Sequence, residues 1–415
     1  MEIRRDTFWN ITFTMQLLLY VLAGIAILIF CYGFYRRYRL WNKGRKEKIS
    51  WDTVKNNFAY FIRIAIRQTK LQRDKLTGTM HKMMAYGFVV LFIGTVLVFI
   101  DHDFGIPILQ GVFYLIYELV LDVFGMVFII GLLAFLYIRG KRQRTRMLQK
   151  RTDYALLILF LLIAAGGYVI EGIRISETNI TYGHWSPVGY LLSKGFEGSL
   201  LFNRDTYLVW WMSHAILVFA FIAIMPYTKL FHIFTAPVNI LISPVKRTGD
   251  FEAEVNGAIS VGESKSVSKL YDFTNLQLLS TDACTECGRC DNLCPAHLSG
   301  KELAPRNIIM KIRDNMEENK VIASFISSEE LKACTTCGAC VEACPVSINH
   351  IDLILAMRRG ALPEELLNPN AEEALIHTEN DHNIWGSPWS SRENWTNGLD
   401  IPVLQPRQSK KKEAN

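Results

Sequence analysis

Two stretches in the last third of the chain limit its fold more than anything else: CTECGRCDNLCP, Cys284 to Pro295, and CTTCGACVEACP, Cys334 to Pro345. Each reads C-x2-C-x2-C-x3-C-P, the spacing that holds a [4Fe–4S] cubane, and two copies indicate a two-cluster ferredoxin module. Three thiolates two residues apart wrap three corners of one cube, while the fourth, turned away before a proline, must reach across to the other. The expected ligand sets are therefore Cys284, Cys287, Cys290 and Cys344 for one cluster, and Cys334, Cys337, Cys340 and Cys294 for the second. Zinc wants four ligands, usually as separated C-x2-C pairs, and two identical four-cysteine runs fit it poorly. A disulfide framework is disfavoured by the close spacing and by the reducing side of the membrane argued below. The remaining cysteine, Cys31, lies in an apolar segment and reads as a small buried hydrophobe.

The second constraint is where the apolar residues lie. Half of the 415 residues are hydrophobic, too many for an ordinary soluble enzyme, and the surplus is concentrated before residue 245. Five runs are long enough to cross a bilayer: Ile11 to Tyr35, Met83 to Ile100, Val112 to Ile138, Tyr154 to Ile173, and Tyr207 to Met225 with helix continuing towards His232. Between the first two, Arg36 to Lys82 carries 14 Lys or Arg against three acids, and the loop 140–153 carries six against one, whereas 172–206 shows no bias. By the positive-inside rule the N-terminus lies outside and the iron–sulfur module faces the cytoplasm, in the inner membrane of a prokaryotic cell. The net charge of +6 is explained by these topology determinants and implies no nucleic-acid partner. Within the first inner loop, WDTVKNNFAYFIRIAIRQTK sets Phe58, Phe61, Ile62 and Ile66 to one side and reads as a helix in the lipid interface or against the soluble domain. Lys82, Arg67 and Lys229 near the inner face read as lipid anchors rather than site residues.

The fold class that follows is mainly α: a five-transmembrane-helix bundle over residues 1–240, a linker over 241–278, a cytoplasmic two-cluster ferredoxin-like domain over 279–376, and an irregular tail over 377–415. Helices are expected at Ala304 to Glu318 and Ser328 to Lys332. The tail holds three tryptophans in eleven residues, which suits either a strap over its own domain or a partner surface; its basic end, KKKEAN, reads as disordered.

Ionisable residues inside spans are costly and point to function or a buried partner. His214 and His232 are 18 residues apart, which at 100° per residue is five whole turns and sets both imidazoles on one helix face about 27 Å apart. His81, at the inner end of the second span, shares the depth of His232. Neutral imidazoles from two helices suit a low-spin haem b. His214 lies deeper towards the outside, where His102 is a further candidate ligand for a second haem, or a quinone is the alternative.

The five-span part resembles the gamma subunit of respiratory nitrate reductases and its relatives in sulfite-reduction complexes. That resemblance implies two b haems on histidines of the second and fifth spans, and His81, His214 and His232 match its pattern; Thr95, ending GFVVLFIGT, stands where that family carries another histidine. The whole chain, through WSPVGYLL, PYTKLFHIFTAPVNI and ACTECGRCDNLCPAHLSGKELAP, resembles the membrane-bound electron-transfer-flavoprotein:menaquinone oxidoreductases related to heterodisulfide reductase. Those proteins continue into a domain with two CCG motifs, which this sequence lacks, so the resemblance implies a separate CCG-domain subunit, an electron-transfer flavoprotein as donor, and menaquinone as acceptor. Nothing resembles a nucleotide-phosphate loop, a flavin fingerprint or a hydrolytic triad, so the expected chemistry is electron transfer. Two further readings are a quinone-linked subunit of a heterodisulfide- or sulfur-metabolism reductase, and a haem-free membrane ferredoxin that reduces a metal during assembly of another enzyme.

Overall fold

The computed structural model describes residues 3–141, 151–178, 180–243, 266–361 and 369–400. The basic loop around 142–150, the linker residues 244–265 and the KKKEAN end lie outside the described residues. Among the described residues the chain is helical and forms no strand. Five helices are long and apolar enough to cross a membrane: α1 (Phe13–Trp41), α3 (Lys75–Asp103), α4 (Gly111–Lys141), α5 (Arg151–Thr178) and α7 (Arg204–Ile224, extended by one 3-10 turn to Tyr227). Between them lie α2 (Trp51–Phe61), which widens into a π turn at Ile62–Ile66, and the short α6 (Pro187–Phe196).

In the bundle α3 runs along α4, α4 along α5, α5 along α7, and α7 along α1. Close approach of α3 and α4 depends on small residues, as is usual where lipid supplies no hydrophobic drive between helices. A Cβ at Gly87 would stand 2.7 Å from Cβ of Phe128, and one at Gly94 2.7 Å from the methyls of Leu121. At mid-depth Phe88, Phe128, Phe160 and Phe221, one from each of α3, α4, α5 and α7, meet edge to face or tilted at 5.0–6.0 Å. Apolar side chains elsewhere point outward, Leu28 at 71% and Val209 at 66% exposure, a surface that only lipid can cover. Cys31 belongs to that outward surface. Expected as buried, it is a small apolar side chain facing the bilayer.

At the end of the bundle away from the cysteines, charge is buried and paired. Arg174 of α5 donates to both carboxylate oxygens of Glu118 on α4 at 3.3 Å and to Glu171 at 2.6 Å, and the Ser186 hydroxyl donates to Glu118 at 2.7 Å. Asp122 accepts from the Val188 and Gly189 N–H groups at the start of α6. Removing one partner of such a set leaves an uncompensated buried charge. Arg174→Ala is expected to cost about 3–5 kcal/mol, read as a fall in melting temperature of the detergent-solubilised protein.

The fifth span differs from expectation. It does not run on to His232: α7 ends at Ile224, Pro226 sits in a 3-10 turn, Thr228 is extended (φ −129°, ψ 175°), and a new helix α8 (His232–Ile242) begins at the histidine itself. Proline lacks the N–H that a continuing helix needs. His214 and His232 therefore do not share one continuous helix, and the non-helical break at Thr228 sets where His232 begins α8.

The soluble part also starts earlier than residue 279. Val267, Leu270, Phe273 and Leu278 are buried in the iron–sulfur core together with Ile308, Ile309 and Ile312 of the helix Pro305–Asp314, and the Val267 N–H donates to the Ala356 carbonyl at 2.9 Å. Residues 266–278 are part of that core rather than a linker. The same core takes in Leu40 and Trp41 from the end of α1, and Phe231 and Ala236 beside and within α8. Trp41 donates to Asp282 at 2.7 Å, as does Arg37 at 2.9 Å, and Asn239 donates to the Val346 carbonyl at 2.7 Å. Beneath, α2 packs on α8: Asn57 donates to the Leu241 carbonyl at 2.9 Å, and Tyr60 meets Ser347 at 3.0 Å. Trp51 and Phe58 remain 68% and 59% exposed, so α2 holds the soluble domain with one side and offers an apolar side outward. In the tail, Trp385 and Trp395 are 78% and 69% exposed and do not strap the domain.

Candidate redox site

Both cysteine runs fold alike for the same local reason. Each turns twice through the left-handed region at matching places, Glu286 (φ 58°) and Gly288 (φ 70°) in the first, Thr336 (φ 56°) and Gly338 (φ 79°) in the second. Each then forms one short helix, Arg289–Leu293 or Ala339–Ala343, and leaves it in an extended residue, Cys294 or Cys344, before proline. A residue preceding proline is pushed out of the helical region, so the proline fixes where the fourth sulfur leaves its own run. The two short helices pack on each other.

This pairing crosses the sulfurs over. Cys294 of the first run lines one pocket with Cys334, Cys337 and Cys340 of the second, closed behind by Leu303, Ile351 and Ile354. In the other group, Cys290 has Cys284, Cys287 and Cys344 as its sulfur neighbours. Ile351 is buried in one apolar cluster with Cys290 and Cys340, one cysteine from each group. Burial pushes the Cys284 thiol up to about 12 and Cys344 up to about 11, against N–H groups of Glu286 and Ile348 that favour the thiolate. Thiols this crowded ionise together only when iron compensates their charge. The N–H groups of Thr336 and Ile348 lie 3.4 Å from the sulfurs of Cys334 and Cys344, hydrogen bonds of the kind that raise a cluster's potential.

His350, buried at the start of the helix that carries Ile351, gives the domain a pH signature. Burial pushes its imidazole down to about 4, and its Nδ1 donates to the Ile348 carbonyl at 3.1 Å. Unfolded, it takes up a proton near 6.5, so acid favours the unfolded chain. Stability is expected to be full above pH ~6.5 and to fall by about 1.4 kcal/mol per unit between ~6.5 and ~4. Melting curves over that range check this, with His350→Gln expected to flatten the slope.

The histidines sort into two levels. His81, in α3, donates from Nδ1 to Oε1 of Gln68 at 3.1 Å, and His232 donates from Nδ1 to the Lys229 carbonyl at 2.6 Å. Both bonds fix the tautomer that leaves Nε2 with its lone pair, as in a metal-binding imidazole held by a neighbour. The two rings are electrostatic neighbours, with Arg289 as the third member. His214 lies on the far side of the phenylalanine layer, its ring against Gly166 and Gly167, where a Cβ would stand 3.3 Å and 3.6 Å from it. Its Nδ1 is buried without a hydrogen bond, the Ile163 backbone being the polar group beside it. His102 ends α3 exposed, edge-on to Phe8 at 4.6 Å, with Phe8 between it and Trp211 of α7. The structure does not bring it to His214.

Sequence reading missed the residues that join these parts. Gln68 holds a left-handed φ of 54° and is 5% exposed; only its nearness to a basic run hinted at it. Lys229, read as a lipid anchor, instead pairs with Asp153 and Glu286 at 2.9 Å each. Burial would raise the Glu286 carboxyl, but Arg313 and Lys229 outweigh it and hold it down to about 2.

Residues 58–248 match the family model described as nitrate reductase gamma subunit, and residues 283–348 the one described as 4Fe-4S dicluster domain. The chain joins a gamma-subunit-like membrane domain to a two-cluster iron–sulfur domain. Its curated relatives include the EtfAB:quinone oxidoreductase of Syntrophomonas wolfei, 28% identical over 91% of this chain and 59% of the relative. The "probable iron-sulfur-binding oxidoreductase FadF" of Bacillus subtilis is 26% identical over 96% of this chain and 63% of its own. A "probable membrane-anchored ferredoxin" of Chromohalobacter salexigens is 28% identical over 33% of this chain and 25% of its own. The chain thus spans about six-tenths of the length of the first two relatives. No solved structure matches it.

Proposed function

We propose that the chain is the membrane electron-transfer subunit of a quinone-linked oxidoreductase. Electrons come from a soluble flavoprotein by way of a CCG-domain partner, pass two [4Fe–4S] clusters and haem b, and reach menaquinone. The names of two relatives, a quinone oxidoreductase and an iron–sulfur oxidoreductase, support the reaction class. The observation that carries the reading is the pair His81 and His232, both with Nε2 free, beside a residue of the first cysteine run.

The clusters and the haem would supply one-electron steps between two-electron flavin and quinone. This chain's residues do the rest. Cys284, Cys287, Cys290 and Cys344 hold one cluster, and Cys334, Cys337, Cys340 and Cys294 the other. Gln68 and the Lys229 carbonyl orient the imidazoles of His81 and His232, which would hold the haem iron through Nε2. His214, with an unbonded Nδ1 against two glycines, is the ligand of a second haem or a quinone contact. The basic loops support an iron–sulfur domain on the cytoplasmic side of an inner membrane, with the N-terminus outside.

A pyridine-haemochrome and iron assay on the purified chain with its co-purifying subunits is expected to find one or two b haems and, besides the haem iron, about eight cluster irons per chain. Eight irons without b-type bands would instead support a haem-free membrane ferredoxin, the reading favoured by the similarity to the Chromohalobacter protein. A heterodisulfide-type partner in place of a flavoprotein would move the reading to the sulfur-metabolism complexes.

A further inference from the structure

The two cysteine runs share a backbone but differ at two of the four residues between their first three cysteines. Between its first three cysteines the first run carries Glu286 and Arg289, where the second carries Thr336 and Ala339. The difference has a direction. Arg289, 9% exposed, donates to the Lys70 carbonyl at 3.4 Å, to the Leu71 carbonyl at 3.3 Å and to the Thr77 hydroxyl at 3.3 Å, one helical turn before His81. Glu286, 3% exposed, pairs with Lys229, whose carbonyl receives the His232 Nδ1–H. The two variable side chains of one run thus reach the two histidine-bearing segments, one each. On the second run Cys337 and Thr335 are exposed instead.

We propose that the first run is the membrane-side end of the relay and that Glu286 and Arg289 are positioning residues, fixing the distance and the potential of its cluster relative to His81 and His232. The second run, around Cys337, is the entry side and faces an external one-electron donor. The order rests on the haem reading given above. Each step moves a single electron: the cluster at Cys284, Cys287, Cys290 and Cys344 loses one as the haem iron gains one, and it is refilled from the cluster at Cys334, Cys337, Cys340 and Cys294. No bond or proton moves.

Charge near a cluster shifts its potential in a fixed sense, so the two side chains must act oppositely. In a redox titration followed by electron paramagnetic resonance on the membrane complex, Arg289→Gln is expected to make the first cluster harder to reduce. Its one-electron equilibrium with the second should shift about tenfold, which is about 59 mV. Glu286→Gln is expected to make it easier by a similar factor, with the second cluster unmoved in both. Cys287→Ser and Cys337→Ser identify which signal belongs to which cluster. Arg289→Lys keeps the charge and is expected to restore the potential, which a merely structural role for the guanidinium would not allow. Should Arg289→Gln fail to assemble, Glu286→Gln carries the test alone with its opposite sign. Unmoved potentials, shifts of equal sign, or shifts confined to the second cluster overturn the proposal. The two readings fail separately, since the absence of b-type bands in the unsubstituted protein ends the haem reading whatever the cluster potentials do.

Discussion

Replacing His81 with alanine is expected to abolish the reduced-minus-oxidised b-type band at the inner level and to lower quinone reduction by at least a hundredfold, a loss of about 2.7 kcal/mol or more in transition-state terms. Two features make this the largest effect open to a single side chain. The imidazole is one of two that leave Nε2 free at this depth, and its Nδ1 is already committed to Gln68, so no rotation of a neighbour replaces it. Cluster iron should stay unchanged, because His81 belongs to α3 and the cysteine runs fold through their own turns. Gln68→Ala, which removes only the hydrogen bond, should keep the haem but loosen it; second-shell changes of this type typically cost 10–100-fold. A His81→Ala protein that retains the full band and full activity would remove His81 from the site.

The second large effect concerns the crossing of the sulfurs. Cys344→Ala is expected to remove the cluster that Cys284, Cys287 and Cys290 build, although it lies in the other run, and to leave the cluster at Cys334, Cys337, Cys340 and Cys294. Half of the cluster iron should be lost, and with it all electron flow to the membrane. If each run served its own cluster, Cys344→Ala would instead spare the first cluster and damage the second. Iron analysis combined with the resonance signature of the surviving cluster decides between these outcomes. The arrangement already favours the crosswise result, since Cys294 lines the pocket of the second run and Cys344 is a sulfur neighbour of Cys290.

The parts of this protein that could be read from its sequence are those where chemistry dictates spacing. Four cysteines before a proline fix a loop, a short helix and an extended exit, and five apolar runs fix five spans. The left-handed turns at Glu286 and Thr336 could not be read, because neither is glycine and only the closing loop demands them. The break after α7 was legible in principle: Pro226 stands inside the apolar pattern, and proline ends a helix near the preceding residue. Residues 266–278 looked like linker because Val267, Leu270, Phe273 and Leu278 follow neither a helical nor an alternating period; their burial comes from one short 3-10 turn and the cap of a following helix. The joining residues Gln68, Lys229, Glu286 and Arg289 were invisible for a different reason. Each has an ordinary type at an ordinary spacing, and its role exists only once distant segments meet.

One apolar core holds Leu40 and Trp41 from the end of α1, and Phe231 and Ala236 from α8 and the turn before it, together with Phe273, Ile308 and Met357 from the iron–sulfur part. The consequence is mechanical. A fragment cut after α8 and produced as a free-standing electron carrier would bare the seat of two large aromatic rings and strand the carboxylate of Asp282, which Trp41 and Arg37 now share. Such a fragment should clump or shed its iron, because evolution has here made the anchor an internal wall of the module it anchors.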